Sequence, residues 1–166
     1  MATALFISRT DLVKNTIVDG NVDTDKFIQF IKIAQEIHIT NYLGSKLYDK
    51  ISSDIVAGSL AGNYLALVND YIQPMLIHFA MVEYLPFAAY QIKNGGVSKH
   101  SSENSESVSK SEIEFLVQKE RDTSEYYTRR FVDYICFNSD KFPEYNTNKD
   151  SDVRPDKDSN VSNWVL

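Results

Sequence analysis

The feature that most constrains this chain is an apolar run near its middle, within residues 63–93, NYLALVNDYIQPMLIHFAMVEYLPFAAYQIK. Between Met75 and Tyr90 only His78, Glu83 and Pro86 interrupt it. A helix that is apolar on nearly every side must be enclosed by other elements or by lipid. Lipid fits poorly, because an acidic residue such as Glu83 near the centre of a span costs about 2.5–3.5 kcal/mol on insertion scales. The expectation is therefore the central helix of a bundle. Pro74 can sit in the first turn of its main rod, where the missing N–H costs little. Pro86 lies inside the pattern and predicts a kink, since it cannot donate to the carbonyl four residues back. Gly95-Gly96 supplies the stop.

A chain of 166 residues makes one domain the default and is long enough to bury a core. The formal net charge is −6, which argues against a broad basic face for nucleic acid. A single cysteine, Cys136, excludes an internal disulfide and a cysteine-based zinc cluster. Set among Tyr134, Ile135 and Phe137, it reads as a buried structural thiol. The N-terminus has no basic flank before a long apolar core, so no signal peptide is expected, and the composition points to the cytosol.

Taken in order, Ser8 with Asp11 predicts a capping box and a short helix over 9–16. Asp23 caps the next helix, with Asp25 in its first turn. Phe27, Phe30, Ile31, Ala34, Ile37 and His38 follow at three- and four-residue spacing, an amphipathic stripe. Leu43-Gly44 breaks the rod and Ser45 can recap it, with Leu47, Tyr48, Ile51 and Ile55 continuing to Gly58. Asn63 is the expected cap of the central element. Seven serines then crowd the stretch from Ser98 to Ser111. This is either a disordered loop within 96–110 or a polar hairpin with strands 96–100 and 105–109, ordered only by a neighbour. Ser111 and Glu114 form a second capping-box pattern, opening a long last helix to about residue 138. From residue 146 the chain is polar and aperiodic, so 146–166 reads as an extended arm that does not fold alone. The arm ends in Trp164, Val165 and Leu166, an apolar hook suited to docking on a partner; the alternative is that it folds back on its own bundle.

Reactive chemistry finds no footing. His38, His78 and His100 have no partner at ligand spacing, and the first two read as satisfied core residues. Asp19, Asn21, Asp23 and Asp25 alternate as in a calcium loop, but Thr24 stands where glycine is required and Phe30 where a bidentate glutamate belongs. No phosphate-binding, dinucleotide, zinc-protease or nucleophile-elbow motif is present. The expectation is a protein that is not an enzyme and carries no metal or cofactor.

The order of parts carries one resemblance. A short helix precedes an amphipathic helix with Ala34-Gln35-Glu36-Ile37 and Leu43-Gly44-Ser45-Lys46-Leu47-Tyr48-Asp49-Lys50-Ile51. A central apolar helix, a polar excursion, a last helix and an arm follow. Over nearly its whole length the chain resembles the head-to-tail connector, or adaptor ring, proteins of tailed bacteriophages, and is similar to the ring proteins of crAss-like phages. The resemblance implies a homo-oligomeric ring, a dodecamer in that family, joining the portal protein to another tail or neck protein at the head–tail interface of the virion. Genomic DNA would pass through its channel without specific binding, and no membrane would be involved.

The combined expectation is an all-α bundle over 1–145, with a long kinked central helix, a long last helix and a polar excursion at 96–110, followed by the extended arm 146–166. Trp164, Val165 and Leu166, with Val97, Ser98, Lys99, His100, Ser107 and Val108 of the excursion, are the expected partner-binding residues. The alternative is a phage-encoded helical binding or regulatory protein that uses the same hook on a host factor.

Overall fold

A computed structural model describes residues 4–18, 24–88, 90–93, 96–99, 109–147 and 153–157. The described chain is mostly helical. Helix α1, Arg9–Asn15, opens on a reciprocal cap: the Asp11 amide donates to Ser8 Oγ at 3.3 Å and the Ser8 amide to Asp11 Oδ2 at 2.8 Å. Helix α2, Thr24–Ala34, buries Phe27, Ile31 and Ala34, as their spacing requires. A π turn, Gln35–Ile39, joins it without a break to α3, Thr40–Ala57. Inside α3, Gly44 adopts φ +71°, ψ 160° and kinks the rod, a conformation essentially reserved for glycine. Gly58, also at positive φ, closes the helix by donating to the Asp54 and Ile55 carbonyls.

The central apolar run is a stack of short elements. Helix α4, Gly62–Leu67, leads through a π turn, Val68–Ile72, into α5, Gln73–Tyr84, and a 3₁₀ turn, Leu85–Phe87. Its cap is the backbone of Ala61 with no side-chain bond, so Asn63 lies inside the first turn and is not the cap. The π turn has a local cause. Pro74 would collide with the carbonyl four residues back and offers it no N–H; widening the preceding turn sends the Gln73 amide to the Val68 carbonyl instead. Pro86 does not kink a continuing helix. The α-helix ends two residues before it, and the glycine pair at 95–96 is not the stop. By length and composition the run Gly62–Phe87 could cross a membrane. In the fold α2 and the long last helix, Lys110–Phe137, cover it, and Met75, Leu76, Ile77, Phe79, Ala80, Met81 and Val82 are all buried.

Strand β1, Tyr90–Lys93, pairs antiparallel with β2, Gly96–Lys99, with Ile92 opposite Val97. The two-residue connection between the strands costs little loop entropy, and the expected pairing of 96–100 with 105–109 falls mostly on residues that are not described. Residues 101–108 lie outside the described residues. Helix α6, Lys110–Phe137, starts two residues earlier than the Ser111 pattern suggested. Ser109 is the cap: Glu112 donates its amide to Ser109 Oγ, and its carboxylate accepts the Ser109 amide at 2.7 Å. Two Ser-x-x-Glu frames overlap here, and the earlier one adds helix. Ser124, Thr128, Phe131, Val132 and Ile135 face the core. A 3₁₀ turn, Ser139–Lys141, and helix α7, Pro143–Asn146, then seat Phe142 and Tyr145 in the core beside α3. Each such fully buried side chain stabilises the fold by about 1.5–3 kcal/mol.

Candidate functional site

Three arrangements of side chains stand out. The first is the junction at the α2–α3 π turn. Gln35 is fully buried, and each end of its amide is used: Oε1 accepts the Phe6 amide at 3.0 Å, while Nε2 donates to the Ala4 carbonyl at 2.8 Å and to Tyr48 Oη at 2.7 Å. Phe6 and Tyr48 rings lie 5.2 Å apart. The N-terminal segment, the Ala34-Gln35 pair and Tyr48 of the Leu-Gly-x-x-Leu-Tyr turn thus form one cluster. A buried amide without partners costs several kcal/mol, so this residue specifies how the N-terminus enters the bundle.

The second is a pair of histidine–glutamate links, one on each side of α5. His38 Nε2 meets Glu83 Oε1 at 2.9 Å while its ring stacks on Phe79 at 4.1 Å. His78 Nδ1 meets Glu120 Oε2 at 2.6 Å while its ring stacks on Tyr127. The spacing of His78 and Glu83 along one helix hid this, because each partner comes from another element. Asp11, Asn15, Asn69, Gln73 and His78 also line a small polar pocket of about 220 Å³. Among the described residues no group of three or more His, Cys, Asp or Glu could hold a metal ion.

The third is where residues 153–157, part of the expected arm, lie across the Gly44 kink. The kink leaves backbone groups of α3 without helical partners. The strap takes them: Ser45 donates from both amide and hydroxyl to the Val153 carbonyl, each at 3.0 Å, and the Asp156 amide donates to the Asn41 carbonyl at 2.7 Å. Pro155 packs onto Gly44 so closely that a Cβ there would lie 2.7 Å from the proline Cδ. Lys157 stands over the Tyr145 ring at 5.0 Å. Burial pushes the Tyr42 phenol up, and the neighbouring Asp156 carboxylate adds to it. Burial likewise raises Tyr145, with the Cys136 thiol beside it. Of the two readings of the arm, this part folds back.

Outside the core, α6 presents Phe115, Tyr126 and Phe137, which are 68%, 59% and 89% exposed. They recur every eleven residues, close to three full turns, and so share one face. Phe137 also borders an open cleft of about 430 Å³ with Tyr71, Arg130 and Tyr134. Sequence reading missed this stripe because it looked for the face that α6 buries, although the eleven-residue spacing is visible in the sequence. Cys136, expected to be buried, is exposed. The buried positions Thr128, Phe131 and Ile135 define the inner face, and Cys136 is turned about 100° from Ile135.

The expected partner-binding residues are only partly placed. Val97, Ser98 and Lys99 lie on β2, opposite Ile92, Gln91 and Tyr90. His100, Ser107, Val108, Trp164, Val165 and Leu166 lie outside the described residues.

Residues 39–155 match a family described as "Family of unknown function (DUF6712)". The match covers more than two thirds of the chain, which therefore belongs to that family. It begins in the π turn before α3 and ends at Pro155, so both the Gly44 kink and the residue packed on it fall within it. No curated protein matches the chain. No solved structure matches it either.

Proposed function

We propose that this member of the DUF6712 family is a structural virion protein: a head–tail connector subunit that assembles with copies of itself into an adaptor ring between portal and tail. The observation that carries the reading is the outer face of α6, where three large aromatic side chains, Phe115, Tyr126 and Phe137, stay exposed along one line of a rigid helix. Aromatic residues left on a rigid helix suit contact with another protein. The enclosed central run and the 28-residue last helix supply a stiff wedge. The excursion 96–110 and the hook Trp164, Val165 and Leu166 supply further contacts to neighbouring subunits and parts. The net negative charge keeps passing DNA from adhering to the ring, since basic groups would bind phosphates by counterion release.

The test is direct. Purified virions should contain the chain, and the protein or its complex with a portal should form rings by negative-stain imaging and light scattering. Deleting residues 160–166 should leave the helical content unchanged and abolish incorporation into particles. Virions that lack the protein would end the proposal. A persistent monomer that captures a host protein through the same hook would favour the regulatory reading instead.

A further inference from the structure

The described surface carries a second apolar stripe, away from α6. On α2 and the π turn, Ile33 and Ile37 are 38% and 51% exposed, and Phe87, 59% exposed, stacks on Phe30 at one end of this row. The stripe and the outer face of α6 occupy different flanks of the molecule. The central rod meets α6 through Tyr71 of its π turn and His78 of α5, seven residues apart and hence on one side. It meets the π turn that follows α2 through Phe79 and Glu83, both against His38 and rotated about 100–140° from His78. A subunit with two unlike sticky flanks is built for head-to-tail contact rather than for a symmetric pair.

The axial levels agree. Tyr71 with Tyr134 and His78 with Tyr127 place α6 antiparallel to α5, residue against residue. Tyr84 with Phe27 and Phe79 with His38 set α2 and the π turn after it antiparallel to α5 as well, with eleven residues spanning five. Helices α2 and α6 therefore run in the same sense, and Ile37 and Tyr126 stand at nearly the same height on their two flanks. At these levels Lys32 lies within about 3 Å of rise of Asp122, and Glu36 about one turn from Arg129. A copy rotated about an axis parallel to the bundle, without sliding along it, would set apolar against apolar and cation against anion.

We propose that the occupant of the α6 outer face is the α2 flank of a second copy of this chain, with Tyr126 seated beside Ile37, Lys32 facing Asp122 and Glu36 facing Arg129. This rests on the ring reading for its closure, but its contacts are testable without virions. In the full-length chain with Cys136→Ser, a short bismaleimide should link Ile37→Cys to Tyr126→Cys and give a ladder of dimers, trimers and higher species. Each single cysteine variant should give no ladder. Both positions are exposed, and matching thermal melts would show that the variants fold. As an independent variant, Glu36→Arg or Arg129→Glu alone should weaken self-association about tenfold, and the two together should restore it.

A ladder supports the proposal even if virions lack the chain, in which case only the connector reading falls. Rings seen without the ladder overturn this interface and leave the connector reading standing. Cross-linking that stops at a dimer overturns the head-to-tail arrangement. A chain that stays monomeric at millimolar concentration, with no ladder, overturns the proposal outright.

Discussion

Gly44 shows how one residue can decide a contact far away in sequence. Its backbone conformation and the 2.7 Å approach of Pro155 leave no room for a side chain. Gly44→Ala is expected to destabilise the protein by about 2 kcal/mol, from backbone strain and displacement of the strap together. Urea unfolding measures it. Adding Pro155→Ala should recover only the part due to the ring, because the backbone strain remains. Tyr64 makes a second residue-scale case. Burial and its hydrogen bond to Glu144, 2.6 Å long, push its phenol up to about 12 from 10.0. The folded state thus favours the protonated phenol. That stabilising share is fully present below pH 10 and is lost as the pH rises through about 12. Compared by absorbance titration, Glu144→Gln should show one phenol fewer ionising late than the parent, as Tyr64 moves back toward the ordinary value.

At the scale of elements, the two histidine–glutamate links hold α5 to its flanks, and they are half-buried, so their worth lies above that of a surface pair. Replacing Glu120 by Gln is expected to cost about 1 kcal/mol. A double-mutant cycle with His78→Phe should return a coupling of similar size, and additive losses would show the contact to be incidental. The elements themselves were largely legible. The apolar period of α2, the unbroken apolar run of α5 and the Ser8 and Gly58 boundaries are written in local sequence, which is what helix formation reads. Other features were not. Pro86 was expected to kink the rod and ends its α-helix instead, Cys136 is exposed, and the cap of α6 sits at Ser109. Each turns on competition between neighbouring local options that differ by little energy. The histidine partners and the strap were hidden for another reason: they join residues from distant parts of the chain, and no local pattern records such pairs.

For the whole molecule, the candidate interaction residues divide by the same rule. The stripe of Phe115, Tyr126 and Phe137 was readable as an eleven-residue repeat once the buried face was known, whereas nothing in a polar, aperiodic tail announced that Pro155 has a seat. The strap also divides the tail into two parts with different duties. Ending the chain at Thr147 is expected to cost about 2–4 kcal/mol, from the backbone bonds to Ser45 and Asn41 and the packing on Gly44. Ending it at Lys157 should leave stability unchanged. Denaturant midpoints for the two truncations would separate them, and equal losses would show that the strap contributes nothing.

The bond from Ser45 to Val153 spans 108 positions of sequence. A ribosome adds about 5–20 residues per second, so on the order of 5–20 s separates the emergence of the two partners. Throughout that interval the bent helix waits with its polar backbone open to water or to a chaperone. Closure of the strap thus trails the making of its socket by seconds, and a nascent chain that stops before residue 153 would be released with that socket empty.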